Sequence, residues 1–163
     1  MLTLPEIVER PPRPYVAIRR EVTIPFDEVA GPCFDELFAW VAAAGIEEAG
    51  AVFIRYELVR MPELVVEFGV PLRASAAPGE GMVAGELLGG RYAVLTYWGH
   101  HHNLMDVNAV MVGWARQKEI RWDSRQTPEG EVFACRLELY ETDPAEEPDP
   151  AKWETRLEFK LAD

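Results

Sequence analysis

Alternating apolar and polar positions predict a strand, a helix and two more strands in the first half of the chain. Residues 15–23 (YVAIRREVT) are rich in β-branched side chains, which is typical of a strand. A helix is predicted from about Gly31 to Gly45, because apolar side chains recur at helical spacing at Phe34, Leu37, Phe38 and Val41. Residues 51–58 (AVFIRYEL) and 63–70 (ELVVEFGV) then predict two strands joined by a short connection.

The second half of the chain has the same order of elements. Residues 88–98 contain the strand GRYAVLTYW, and Asn103 is a plausible N-cap for the helix that follows. One face of this helix carries Leu104, Val107, Met111, Trp114 and Lys118. Residues 133–140 (FACRLELY) and 155–161 (TRLEFKL) predict the last two strands, separated by an acidic, proline-rich connector.

Short sequence matches support a duplication. Residues 55–58 (RYEL) are echoed by 136–139 (RLEL), and 63–68 (ELVVEF) by 154–159 (ETRLEF), in the same order and place within each unit. We therefore predict one domain over residues 1–163 with pseudo-repeats at about 1–75 and 86–163. The fold class is α+β: two βαββ units form a curved antiparallel sheet with both helices on one side and a ligand groove on the other.

The strand at 133–140 carries the candidate chemistry of the groove. Because side chains alternate between the two faces of a strand, Arg136, Glu138 and Tyr140 share one face. The apolar positions Phe133, Cys135, Leu137 and Leu139 share the other face and are expected against the helices. A solvated outer face would explain the polar set equally well. If it lines a groove, Glu138 is a candidate general base or a counter-ion for a cationic ligand, with Tyr140 beside it.

Aromatic residues are numerous, with 5 Trp, 5 Tyr and 7 Phe. Phe34, Phe38 and Trp114 lie on the apolar stripes of the two helices, and we expect them in the core. The aromatic residues on strands or strand ends are candidates for sandwiching a flat ligand, although such residues are also common at half-buried sheet edges; they are Tyr56, Trp98, Tyr140 and Trp153.

Three consecutive histidines, His100 to His102, lead into the second helix. No accompanying ligand spacing is typical of a metal site, so we predict a loop at the pocket mouth, with His102 as a ligand-binding candidate, and no metal. The sequence contains no GxGxxG, P-loop, GxSxG or kinase signature. We therefore predict no cofactor.

The net charge of the chain restricts the classes of partner that it is expected to bind. The 28 acidic and 16 basic residues give a net charge of -12 at pH 7, which repels phosphate backbones and anionic lipid. Direct nucleic-acid or membrane binding is not expected. No segment is typical of a membrane span or signal peptide, and the two cysteines match no redox or metal spacing, so we expect a cytoplasmic protein.

Several segments together resemble the gyrase-inhibitor-like (GyrI-like) small-molecule-binding family, which includes effector-binding domains of AraC-type and MerR-type drug-sensing regulators. They are RLELYETDP with the later TRLEFKL, GRYAVLTYWGHHHNL, Trp114 in VGWARQKEI, and ELVVEFGVPL. The resemblance implies a duplicated βαββ fold with a groove along its pseudo-twofold axis. It also implies that Glu138 is the central carboxylate of the pocket.

Three functions follow as hypotheses. The leading one is a free-standing protein that binds hydrophobic, planar or cationic compounds and contributes to drug tolerance or sensing. The alternative, permitted by the resemblance, is a hydrolase of cyclopropane-bearing cytotoxic electrophiles with Glu138 as general base and Tyr140 assisting. A third is action through a protein partner, a regulator or gyrase. The sequence predicts no particular oligomeric state.

Overall fold

The computed structural model describes residues 1–163. It contains two α-helices, α1 (Asp27–Ala44) and α2 (Leu104–Gln117), and two short 3₁₀ turns at His101–Asn103 and Pro150–Lys152. The ten strands are β1 (Glu6–Arg10), β2 (Arg13–Thr23), β3 (Val52–Arg60), β4 (Glu63–Pro71), β5 (Val83–Leu87), β6 (Gly90–Trp98), β7 (Ser124–Thr127), β8 (Gly130–Phe133), β9 (Arg136–Tyr140) and β10 (Glu154–Lys160).

The sheet is antiparallel and its strand order is nearly symmetrical. Eight strands follow the path β1-β6-β10-β9-β3-β4-β2-β5, and the β7–β8 hairpin joins β3 through β8. The two units meet at the central β9–β3 pair, where Glu138 lies opposite Ile54. From this pair outward, β3-β4-β2 on one side matches β9-β10-β6 on the other. The predicted α+β fold of duplicated βαββ units in a curved antiparallel sheet is confirmed.

Both predicted helices form. Helix α1 begins at Asp27, four residues before the predicted start, with Asp27 and Glu28 in the first turn where the helix dipole favours carboxylates. It ends at Ala44 and is capped by Gly45, whose φ of 65° is a left-handed conformation that glycine adopts easily. Neither helix is long and apolar enough to cross a membrane.

The buried side chains form three clusters on the two faces of the sheet. Each helix covers one cluster: α1 packs Cys33, Leu37 and Val41 onto β2, β3 and β4, and α2 packs Val107 and Met111 onto β6 and β10. The third cluster lies on the opposite face and contains no helix residue; its members are Tyr15, Ala17, Phe53, Leu87, Tyr92, Val94, Cys135, Leu137 and Leu139. A curled sheet thus buries both of its faces.

The face assignment predicted for residues 133–140 is therefore wrong. Cys135, Leu137 and Leu139 pack inside the curled sheet, away from the helices. The polar set faces the helices instead, since Glu138 accepts a hydrogen bond from α2 and Tyr140 packs on α1. The segment is also not one strand, because it divides into β8 and β9. The groove consequently lies on the same side of the sheet as the helices, not on the other side.

Candidate functional site

A groove with a volume of about 900 Å³ lies between the two helices. Its floor is formed by the central strands β3 and β9, and its walls by α1, by the start of α2 and by the connector between β9 and β10. A cavity of this size suits a drug-sized organic molecule. The groove therefore lies over the junction of the two units.

Glu138 forms the polar centre of the floor. Its side chain is buried, with the residue only 5% exposed. The hydroxyls of Tyr56 and Tyr140 both donate to Oε1 at 2.7 Å, and the Asn108 amide Nδ2 donates to Oε2 at 2.8 Å. All three donors are neutral side chains. Glu138 is thus held by hydrogen bonds but has no ion-pair partner of its own.

Burial keeps both tyrosines in their protonated form. Desolvation raises the pKa of Tyr56 well above its ordinary value, and the nearby Glu138 carboxylate raises it further. The pKa of Tyr140 is raised by the same two causes in the same order. Both phenols therefore remain hydrogen-bond donors to Glu138 at any physiological pH.

Arg136 lies beside this network without pairing with Glu138. Its Nη2 donates to Asn108 Oδ1 at 3.2 Å, so Asn108 bridges the guanidinium and the carboxylate. The guanidinium also lies over the rings of Phe159 and Phe133, at 4.4 and 4.8 Å from their centroids. Burial lowers the pKa of Arg136 from its usual value. The rings of Phe159 and Phe133 thus contact the guanidinium of Arg136, which has no carboxylate partner.

The walls above Glu138 are aromatic and apolar. Phe34 of α1 meets the Tyr140 ring edge to face at 6.3 Å, and His101 meets it at 5.4 Å. Phe38, 40% exposed, lines the groove as well. Phe34 packs against the α1 cluster as predicted and also lines the groove, and Trp114 packs against the α2 cluster as predicted. Phe38, which was expected in the core, is exposed to the groove instead.

The charged side chains that line the groove are almost all acidic. Besides Glu138 there are six carboxylates and a single guanidinium, that of Arg136; the six are Asp27, Asp35, Glu48, Glu141, Asp143 and Glu146. Such a distribution attracts cations and repels anions.

Most of the predicted binding residues line this groove. Tyr56, Arg136, Glu138, Tyr140 and His102 all do so. Trp98 and Trp153 do not line it. Trp98 ends β6 on the face opposite Tyr97, which belongs to the α2 cluster. Trp153 stacks on His101 at 4.9 Å, behind the groove wall, and its Nε1 donates to the carbonyl of Glu147.

The three histidines do not converge on one point. The Nδ1 atoms of His100 and His102 lie 2.6 Å apart, while His101 turns toward Tyr140. Nowhere do three or more His, Cys, Asp or Glu side chains form a group that could hold a metal ion. Burial, followed by the neighbouring His100, lowers the pKa of His101, so its ring is neutral at pH 7.

Sequence reasoning missed Asn108 and His101. Asn108 follows Leu104 by one helical turn and borders the buried stripe of α2, a position where a polar side chain suggests a specific partner. That partner was unpredictable while Glu138 was assigned to the face away from the helices. The sequence shows three adjacent histidines as one run and does not distinguish His101 from the other two. In the 3₁₀ turn, His101 contacts Tyr140 while His100 and His102 contact each other.

Comparisons with known proteins show the family and the fold of the chain. A family model described as the GyrI-like small molecule binding domain matches residues 3–162. A search of curated proteins finds no match. Among solved structures, the EcmrR–DNA complex superposes with a TM-score of 0.78 at 14% identity, covering 98% of this chain and 57% of that chain.

Two further structures are similar. SAV2435 bound to tetraphenylphosphonium has a TM-score of 0.59 at 10% identity, with 97% of this chain and 93% of that chain covered. A hydrolase from Listeria innocua has a TM-score of 0.57 at 12% identity, with 97% and 91% covered. At such identities the likeness concerns the fold. The chain spans little more than half the length of EcmrR.

Proposed function

The chain belongs to the GyrI-like small-molecule-binding domain family, and from that premise we propose that its groove binds hydrophobic organic cations that carry aromatic rings. In this proposal Glu138 is the counter-ion of the ligand. Tyr56, Tyr140 and Asn108 orient the carboxylate, and the aromatic walls hold the apolar part of the ligand.

The observation that carries the proposal is the absence of any cationic partner for the buried Glu138. A carboxylate removed from water loses hydration, and neutral hydrogen-bond donors compensate only part of that cost. Elsewhere in this sheet, buried carboxylates do pair with cations: Glu67 with Arg55 at 3.0 Å, and Glu158 with Arg10 and Arg156 at 3.2 and 2.6 Å. A bound organic cation would supply the missing partner at Glu138.

The chemistry of the walls favours an apolar ligand body that carries flat aromatic rings. Phe34 and Tyr140 present ring edges and faces to the groove, and aromatic rings pair well with other rings at such distances. The cation–π attraction of the Tyr56 and Tyr140 rings would add to the charge of Glu138. The structure of SAV2435 bound to tetraphenylphosphonium, a hydrophobic cation, supports this ligand class by analogy of fold.

A role in drug tolerance follows in one of two ways. Binding alone would lower the free concentration of a toxic cation by sequestration. Sensing would in addition require a unit that contacts DNA, or a protein partner, to respond to the bound ligand; the chain spans 57% of EcmrR, which was solved in complex with DNA. With a net charge of -12 the chain is poorly suited to contact DNA directly.

Isothermal titration calorimetry tests the proposal with a pair of ions of the same shape. Tetraphenylphosphonium should bind with micromolar affinity, about -8 kcal/mol. Tetraphenylborate carries the same four phenyl groups on an anionic centre and should bind at least 100-fold more weakly. Equal affinity for the two ions, or no binding of the cation below about 1 mM, would contradict the assignment.

Hydrolysis is the second candidate, supported by the position of Glu138 between two phenols and by the fold shared with a Listeria innocua hydrolase. In that scheme Glu138 takes a proton from water as the water oxygen bonds to a cyclopropane carbon. The breaking C–C bond returns its electron pair to a conjugated dienone, which becomes a phenol after protonation. It ranks second because Tyr56 and Tyr140 donate to Glu138, so a substrate carbonyl must compete for them.

Loss of ultraviolet absorbance of a spirocyclopropyl-dienone compound measures this reaction. Wild type should accelerate ring opening over buffer, and Glu138→Gln should reduce turnover by roughly 100-fold to 10,000-fold if Glu138 is the base. No acceleration for a compound that binds would remove the hydrolase candidate and leave the binding protein.

A further inference from the structure

The mouth of the groove carries carboxylates that have no partner. Asp27 and Asp35 lie on α1, eight residues apart, Glu146 lies on the β9–β10 connector, and all three line the groove. All three are exposed, and none forms an ion pair; among the carboxylates that line the groove, only Glu141 does so, with Arg156. We call Asp27, Asp35 and Glu146 the rim carboxylates.

The connector that carries Glu146 is held in place by its own hydrogen bonds. The Asp143 carboxylate accepts from the backbone N–H of Ala145 at 2.8 Å, and the Asp149 carboxylate accepts from that of Ala151 at 3.0 Å. The Trp153 indole donates to the carbonyl of Glu147 at 2.7 Å. Glu146 is therefore presented by an organised segment, not by a loose tail.

Negative charge is thus arranged at two depths of the same cavity. Glu138 is buried on the floor and lacks a cationic partner, and the rim carboxylates stand at the solvent boundary. Arg136 is the one guanidinium or ammonium group among the lining side chains, and it is turned onto aromatic rings. A volume of about 900 Å³ lies near the upper end of the range of pockets that hold one drug-sized ligand, so the groove has room for an elongated one. The rim carboxylates stay available to a second charge when a cation pairs with Glu138.

We propose that the groove prefers elongated organic dications. One cationic centre, on an aromatic body, pairs with Glu138. The second, on a flexible and hydrated arm, reaches the rim carboxylates. This inference rests on the proposed function, because it assumes that a cation occupies the floor. It adds the ligand class: compounds with two positive centres separated by a linker.

Two ligands that differ only in the charge of the arm test this. The dication is (6-trimethylammoniohexyl)triphenylphosphonium, and the monocation is (7,7-dimethyloctyl)triphenylphosphonium, whose tert-butyl end has the shape of the trimethylammonium group without its charge. Affinities of both for the full chain are measured by titration calorimetry at about 20 mM and 500 mM salt. Because exposed ion contacts are screened by salt, the effect of the rim should be largest at low salt.

The variant Asp27→Asn/Asp35→Asn/Glu146→Gln removes the rim charge. Its matched control, Glu6→Gln/Glu86→Gln/Glu129→Gln, changes three exposed carboxylates that lie outside the groove and alters the net charge equally. Circular dichroism checks that both variants remain folded. At low salt the rim variant should bind the dication about tenfold more weakly than wild type, and the monocation within about twofold. The control variant should bind both ligands within about twofold of wild type.

The outcomes separate this inference from the proposed function. A loss confined to the dication in the rim variant, and reduced at high salt, supports it. If both triple variants lose the dication equally, or if the rim variant loses neither ligand, a rim site for the second charge is overturned while cation binding on the floor stands. If wild type binds neither ligand, the proposed function fails and this inference fails with it.

Discussion

Asn108→Ala tests the polar network under the groove. Asn108 donates to Glu138 at 2.8 Å and to the Leu104 carbonyl at 2.8 Å, and accepts from Arg136 at 3.2 Å. Truncation leaves one carboxylate oxygen and one guanidinium N–H without their partner. Both groups are charged and largely buried, so the loss is greater than for a neutral hydrogen bond.

The magnitude follows from these contacts. A hydrogen bond to a charged group contributes about 1.5–3 kcal/mol, and two such bonds are lost. Alanine gains about 0.5 kcal/mol over asparagine in a helix interior, and water entering from the open groove replaces part of each bond. The free energy of unfolding should fall by about 2 kcal/mol, which lowers Tm by roughly 4–8 °C in a chain of this size.

Asn103→Ala provides the matched comparison. Asn103 precedes α2, caps no helix N–H with its side chain, and donates to the neutral Tyr97 hydroxyl at 2.8 Å. Its loss should cost about 1 kcal/mol. Urea unfolding followed by circular dichroism gives both values, with an unchanged slope as the sign of two-state behaviour. A cost for Asn108→Ala below that of Asn103→Ala would refute a charge-assisted bridge between Arg136 and Glu138.

Two other perturbations test the packing and the buried ion pairs. A Cβ on Gly69 would lie 2.6 Å from the buried Phe53 ring, so Gly69→Ala should lower the free energy of unfolding by about 1–3 kcal/mol. Gly31 is helical and has open space around it, so Gly31→Ala should raise the free energy of unfolding by up to about 1 kcal/mol. Urea unfolding measures both values, and equal effects of the two substitutions would contradict this reasoning. Burial alone would raise the pKa of Glu158, but hydrogen bonding to Arg10 and the charge of Arg156 outweigh it and lower the pKa below its usual 4.5. The resulting stability is present above pH 4.5 and is lost as pH falls through the lowered pKa. Below pH 4.5 the free energy of unfolding should therefore decline more steeply in wild type than in Glu158→Gln. Parallel plots of unfolding free energy against pH for the two proteins would exclude Glu158 as the cause.

The order of elements could be predicted from sequence because each βαββ unit has a clear pattern. The face of β9 could not. Cys135, Leu137 and Leu139 are apolar, and an apolar strand face normally packs on helices. A sheet that curls on itself also buries its inner face, so in this chain the apolar side of β9 turns inward and the polar side lies under the helices. The strand pattern alone does not distinguish the two arrangements.

The duplication also misled at the level of single residues. The sequence match pairs Glu57 with Glu138, yet Glu57 does not face the groove. Tyr56 lies on the groove side of β3, as does Ile54 two residues before it, and Glu57 pairs with Arg19 at 2.8 Å outside the groove. A β-bulge between Tyr56 and Leu58 interrupts the β3–β4 pairing at this residue. Only one of the two units therefore contributes a carboxylate to the floor. The β7–β8 hairpin could not be predicted because its four-residue strands are too short to show an alternation of apolar and polar residues.

The central claim is that Glu138 recognises a positive charge, and one comparison tests it most directly. Glu138→Gln keeps the shape of the side chain and an oxygen to accept from Tyr56 and Tyr140, but removes the charge. Calorimetric titration should show tetraphenylphosphonium bound roughly tenfold to 100-fold more weakly, a loss of about 1.4–2.7 kcal/mol, while the neutral triphenylphosphine oxide binds wild type and variant alike. Equal losses for both ligands, or unchanged affinity for the cation in a folded variant, would contradict the role of Glu138 as counter-ion.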